Sequence, residues 1–130
     1  MKVIDSSALI AQILVENGHP DVRSEIEQGA YISIINILEV YHKLRKLEAK
    51  SNLEAESIVN MRFMDNLPGL EVLPFLPEYA TKVSLLPIDQ NLSLGDRACL
   101  CTAMHLNLPV MTADKIWAKL KLPIEVQLIR

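Results

Sequence analysis

From its amino end the chain alternates short apolar runs with longer stretches in which apolar residues recur every three or four positions. Met1 to Asp5 is apolar until an aspartate closes it, and Ser6 and Ser7 then offer N-caps to the apolar segment Ala8 to Val15. That order predicts a strand, an acid and a helix. Gly18, His19 and Pro20 break the pattern, and Asp21 can cap a short polar helix through Gln28 that Gly29 closes. Tyr31 to Ile34 is the second predicted strand. From Asn36 to Leu47, apolar residues at Ile37, Val40, Tyr41, Leu44 and Leu47 form a helical stripe, with Glu39 on another face beside Asn36 and Lys43. Asn52 can start a further helix through Ile58, Met61, Phe63 and Met64 to about Asn66, its apolar side serving as core or dimer surface, before Pro68 and Gly69 end it.

The second half repeats the alternation. Leu70 to Leu73 reads as a third strand, Pro77 to Leu86 as a helix with Tyr79, Val83 and Leu86 inward, and Pro87 to Asn91 as a polar loop. Ser93 begins a helix with Leu94, Ala98, Cys101, Ala103 and Met104 apolar, which Asn107 and Pro109 stop. Val110 to Thr112 suits a buried strand, with Asp114 just past it. A short helix, Lys115 to Leu120, precedes Pro123 and a last strand, Ile124 to Ile129, with broken alternation. Short strands separated by helical crossovers predict an α/β fold, a mostly parallel central sheet of about five strands flanked by helices. With no internal repeat and no low-complexity linker, residues 1–130 read as one domain.

Composition adds exclusions. Half of the 130 residues are apolar, yet no apolar run approaches the roughly eighteen residues that span a bilayer, and the amino end lacks a signal-peptide core. The expectation is a soluble, cytoplasmic protein without a membrane partner. Cys99 and Cys101 lie two apart in one predicted helix and point in different directions, which suits reduced core thiols. The formal charge of −3 argues against a globally basic nucleic-acid coat, although a carboxylate cluster would itself lower it. His19, His42 and His105 share no metal-ligand spacing, and the four glycines form no phosphate-binding loop.

Four acids then stand out by position. Asp5 follows the first strand, Glu39 lies about one turn into the helix after the second, Asp96 opens the long helix and Asp114 follows the fourth strand. All fall on the carboxyl edge of such a sheet, where ligands collect. Oxygen-only ligation suits a hard cation, Mg2+ or Mn2+, that leaves room for a phosphate oxygen. Such an ion would also remove the mutual repulsion of the acids and could activate water against a phosphodiester. Each acid equally has an ordinary reading. Ser93-x-x-Asp96 makes a capping box, Asp114 and Asp5 can cap or turn the chain, and Glu39 with Lys43 is a common helical pair. The basic run Lys43, Arg45, Lys46 and Lys50 could approach the phosphates of a nucleic-acid backbone beside Glu39 or form a solvated helix face.

The stretches around these acids resemble the PIN-domain ribonucleases, most closely the VapC-like toxins of toxin-antitoxin pairs. KVIDSSALIA resembles the family's opening strand with its metal-binding acid at Asp5. ISIINILEVYHKL carries the second acid at Glu39, LSLGDRACLCTA the third at Asp96, and LPVMTADKIW the fourth motif with Thr112 and Asp114. The resemblance implies a Mg2+- or Mn2+-dependent endoribonuclease, usually a homodimer, held inactive by a small antitoxin whose tail covers the site. Ser6 and Thr112 resemble hydroxyl positions that support the acids, though a cap and a strand-end turn account for them as well. Some family members carry a further acid just after the position of Asp114, where Lys115 and Ile116 stand here, which leaves one well-held ion and a second open. The alternatives are a PIN-like interaction module without catalysis and a Mg2+-dependent phosphohydrolase of another α/β family. Receiver domains and aspartate-nucleophile phosphatases are disfavoured, because Ser6 and Ser7 occupy the places of their further acids.

Overall fold

The computed structural model describes residues 1–51 and 67–130, so the predicted helix from Asn52 to Asn66 lies outside the described residues. The first strand β1 (Lys2–Ile4) leads into α1 (Ser6–Leu14) and α2 (His19–Gln28), then β2 (Ala30–Ser33) and α3 (Ile34–Ser51). After the undescribed segment come β3 (Leu70–Leu73), the single turn α4 (Pro77–Ala80) running into a 3-10 stretch at Thr81–Leu85, and α5 (Leu94–Leu106). The chain closes with β4 (Val110–Thr112), a 3-10 turn at Trp117–Lys119 and β5 (Val126–Leu128). All pairings are parallel, in the order β3-β2-β1-β4-β5.

Both faces of the sheet are covered, so its central strands alternate between two cores rather than between core and water. In β1, Val3 joins the side that holds α5 residues Cys99, Leu100 and Met104, whereas Ile4 joins Leu9, Ile26, Val40 and Leu44 on the other. In β4, Val110 and Met111 divide in the same way. Trp117 is fully buried in the α5-side core, which explains why the chain tightens there instead of forming the predicted helix from Lys115 to Leu120.

Several boundaries differ from the sequence expectation for identifiable reasons. Asp5, not Ser6 or Ser7, caps α1: its carboxylate accepts the Ala8 N–H at 2.9 Å. Gly18, in the left-handed region at φ 93°, precedes α2, and Pro20 sits in the first turn, leaving Asp21 inside the helix rather than capping it. Ile34 belongs to α3 rather than to the second strand. The α-helix predicted to Leu86 stops at Ala80; the tighter 3-10 repeat turns Val83 away from the face that buries Tyr79, and Val83 is 49% exposed. Asn107 ends α5 in the left-handed conformation, its N–H bonded to the carbonyls of Ala103 and Met104.

Candidate active site

The strand order reverses at β1. Moving outward, β2 and β3 stack on one side of it, while β4 and β5 stack on the other. Beyond the carboxyl ends of β1 and β4 the backbone therefore splays apart, and a crevice opens there by topology alone. Asp5 is the first residue past β1, and Thr112 is the last of β4. The two meet across the crevice: Thr112 Oγ1 donates to Asp5 Oδ2 at 2.6 Å. Asp5 Oδ1 takes the Ala8 N–H and, at 2.7 Å, the Ser7 hydroxyl. Ser7 Oγ in turn accepts the Ala113 N–H at 2.9 Å, and Thr112 Oγ1 accepts the Asp114 N–H at 3.0 Å. The two chain segments are thus stitched by hydroxyls around one carboxylate. Ser6, the hydroxyl expected to support the acid, is buried at the first position of α1, and Ser7 makes the contact instead. An Asp two residues before a Ser at a helix start is the local signal for it.

Glu39 and Asp96 come from the helices on either side. Asp96 lies in the first turn of α5 in a reciprocal capping box. Ser93 Oγ accepts the Asp96 N–H at 3.1 Å, and Asp96 Oδ2 accepts the Ser93 N–H at 3.0 Å. The ordinary reading of Asp96 is therefore present in the structure, and it occupies only one of the two carboxylate oxygens. Asp114 Oδ1 likewise accepts the Ile116 N–H at 3.0 Å. Among the described residues, Asp96 Oδ1 and Asp114 Oδ2 take part in no hydrogen bond. Glu39 does not pair with Lys43; its Oε1 accepts from Asn36 Nδ2 at 2.8 Å, and its carboxylate lies against Gly95 where a Cβ would otherwise sit. Asn36 and Gly95 join the site although neither bears a charge.

The charges of these acids bear on Asp5 and Asp96. Burial raises the Asp5 carboxyl to about 6, with the charge of Asp96 adding to the rise and the hydrogen bonds from Thr112, Ala8 and Ser7 opposing it. Asp96 is also raised, first by burial and further by the charges of Glu39 and Asp114, against the pull of Ser93. None of the four forms an ion pair among the described residues. Beneath them the buried Cys99 thiol is pushed well up, by burial and then by Asp5, Asp96 and Glu39, so it is a neutral packing group. Cys101 is buried too, in keeping with two reduced core thiols.

This donor set suits a hard divalent cation: oxygen ligands only, excess negative charge, and three carboxylate oxygens, on Glu39, Asp96 and Asp114, left open among the described residues. No three of the described His, Cys, Asp or Glu side chains converge into a ready-made cage. Each acid is engaged by its own cap, hydroxyl or amide, and an ion at this site would draw on the carboxylate oxygens that those contacts leave free.

A cleft of about 510 Å3 runs from Ser93 and Gly95 past Glu39 to Leu38 and His42. A second groove of about 540 Å3 continues along α3, sharing Leu38 and His42 and reaching Tyr41, Arg45, Lys46 and Ala49. Of the three cations expected near Glu39, Arg45 and Lys46 line this path; Lys43 is exposed on α3 and does not. No helix among the described residues is long and apolar enough to cross a membrane.

A family model described as the PIN domain matches residues 2–122. Among solved structures, a DNA-bound VapBC from Salmonella typhimurium is similar over 100% of both chains, with a TM-score of 0.75 and 16% identity. VapBC2 from Rickettsia felis, bound to a DNA fragment from its promoter, is similar over 97% of this chain and 96% of that one, with a TM-score of 0.67 and 15% identity. A toxin-antitoxin complex from Klebsiella pneumoniae is similar over 96% and 99%, with a TM-score of 0.64 and 21% identity. At these identities the likeness is one of fold. No curated protein matches the sequence significantly.

Proposed function

The chain belongs to the PIN-domain family, and from that premise we propose that it is a Mg2+- or Mn2+-dependent endoribonuclease acting as the toxin of a toxin-antitoxin pair. The observation that supports this most directly is the electrostatic linkage of Asp5, Glu39, Asp96 and Asp114, carried by four separate elements toward the carboxyl edge of the sheet. There the charge of Asp96 adds to the rise at Asp5, and the charges of Glu39 and Asp114 add to the rise at Asp96, with no ion pair to any of the four among the described residues. A fold gains no stability from such an arrangement, and a bound cation gives it a use.

In this reading the four acids hold the ion, directly or through water, with Glu39 Oε2, Asp96 Oδ1 and Asp114 Oδ2 as the open donors. When bound, the cation lowers the pKa of its water and stabilises charge developing on the phosphodiester. Thr112 and Ser7 fix both oxygens of Asp5, so that the carboxylate does not turn as its charge state changes. Arg45 and Lys46 draw the RNA backbone along α3 toward Glu39, and exposed Lys43, four residues on from Glu39, adds positive charge. The exposed side chains Leu38 and Leu94, 67% and 73% accessible on the walls of the Glu39 cleft, offer an apolar surface for a protein partner. Because the structural neighbours include toxin-antitoxin complexes, we assign that surface to a small antitoxin; a homodimer is part of the same reading.

Purified free of its partner, the protein is expected to cut RNA in Mg2+ or Mn2+ and to stop on addition of chelator. The Asp96→Asn protein should be inactive, and if it cut at the same rate and sites the assignment would be wrong. Expression should arrest growth, and co-expression of a small neighbouring protein should relieve the arrest; a housekeeping nuclease would show neither effect. Light scattering of the free protein reads the dimer.

A further inference from the structure

Asn36 is 1% exposed in the first turn of α3, an unusual place for an amide. Both donors of its Nδ2 are engaged, one by Glu39 Oε1 at 2.8 Å and the other by the Gly95 carbonyl at 3.0 Å. Its Oδ1 is buried with no partner among the described residues. A buried amide with half its hydrogen-bonding capacity unmet is a cost that an apolar side chain of similar size would avoid. What the cost obtains is visible at the other end of the hydrogen bond. The Glu39 carboxylate is held from one side by the amide and rests on the other against the bare backbone of Gly95, where a Cβ would overlap all three of its carboxylate atoms. The amide is neutral, so it orients Glu39 without cancelling the charge that a cation needs. A lysine or arginine in its place would cancel it.

We propose that Asn36 is a positioning residue for Glu39, acting with the missing side chain of Gly95 to set the orientation in which that carboxylate serves the metal site. The inference rests on the proposed assignment of Glu39 to that site. Outer-shell hydrogen bonds of this kind change metal affinity by about 10- to 100-fold.

The test is Mn2+ titration of the full chain without RNA, followed by electron paramagnetic resonance of the free ion. Asn36→Ala should weaken Mn2+ binding about tenfold in the unaltered background. In a Glu39→Ala background the same change should matter less than about twofold, the usual limit of additivity. Gly95→Ala keeps the amide and displaces only the flexible end of Glu39; it should weaken binding in the same direction while thermal stability does not fall, because alanine favours a helix. That second variant decides the question if Asn36→Ala does not fold. Wild-type affinity in both Asn36→Ala and Gly95→Ala, or an equal loss with and without Glu39, would overturn the positioning role while the metal site stands. No Mn2+ binding by the unaltered chain, or full affinity in Glu39→Ala, would overturn both.

Discussion

Asp5 carries two duties that pull its proton in opposite directions. Its hydrogen bonds favour the carboxylate, but burial outweighs them, and the group ends near 6 instead of its ordinary 3.8. The folded state therefore keeps a proton that the unfolded chain releases, so the contribution is full below about pH 4 and is lost as pH rises through about 6. Without metal, urea melts of Asp5→Asn and the unaltered protein should diverge on going from about pH 4.5 to about pH 8. The variant should gain about 2 kcal/mol relative to the unaltered chain over that range. Saturating Mn2+ should remove most of the gap, because the ion binds the ionised site. A constant difference across pH would show that Asp5 ionises freely. That an acid ends the first strand is plain in the sequence, but its burial is not. The hydroxyl that completes its shell, Thr112, lies 107 residues away, and the nearer one is Ser7 rather than Ser6. Asn36 was legible as a neighbour of Glu39 by helical spacing, whereas Gly95, with no side chain, could be found only by the space it leaves.

At the level of elements, the start of α5 separates stability from chemistry. Ser93→Ala removes the acceptor for the Asp96 N–H and should cost about 1 kcal/mol in a denaturant melt. Asp96→Asn keeps an oxygen for the Ser93 N–H and should cost less than that, yet abolish RNA cleavage. If the Asn variant lost stability and activity in proportion, Asp96 would be a cap and no more. This helix was the most readable element because its signals are local: a capping box at one end, Asn107 at the other, and apolar spacing between. The helix predicted from Pro77 to Leu86 was misread for the opposite reason. Its apolar spacing is helical, but only Tyr79 and Leu86 are buried while Val83 between them is exposed, and the 3-10 turn places them so, an outcome of tertiary packing. Likewise, the caps assigned to Ser6, Ser7 and Asp21 have the right chemistry, one to several residues from where the cap falls.

For the whole molecule, the sheet order matters more than any one motif. Starting at β1 and growing in both directions places the β1 and β4 ends side by side, so acids that are 91 residues apart for Asp5 and Asp96 share one crevice. The net charge of −3 says nothing of where charge sits: Asp5, Glu39, Asp96 and Asp114 lie toward the carboxyl edge of the sheet, while Arg45 and Lys46 line a groove that joins the Glu39 cleft through Leu38 and His42. A polyanion would be held along α3 and delivered to the acids with its charge partly offset. Reversing the two cations, Arg45→Glu with Lys46→Glu, should therefore raise KM while leaving the rate at saturating RNA and the Mn2+ affinity close to those of the unaltered protein. Each lost phosphate contact should also flatten the log–log dependence of binding on salt by about 0.7 for a single strand, about 1.4 for the pair. Binding measured by anisotropy over a range of salt reads both quantities. An unchanged slope with unchanged KM would move the RNA path off α3, whereas a lost rate at saturation would mean that these cations act on the reacting phosphate itself.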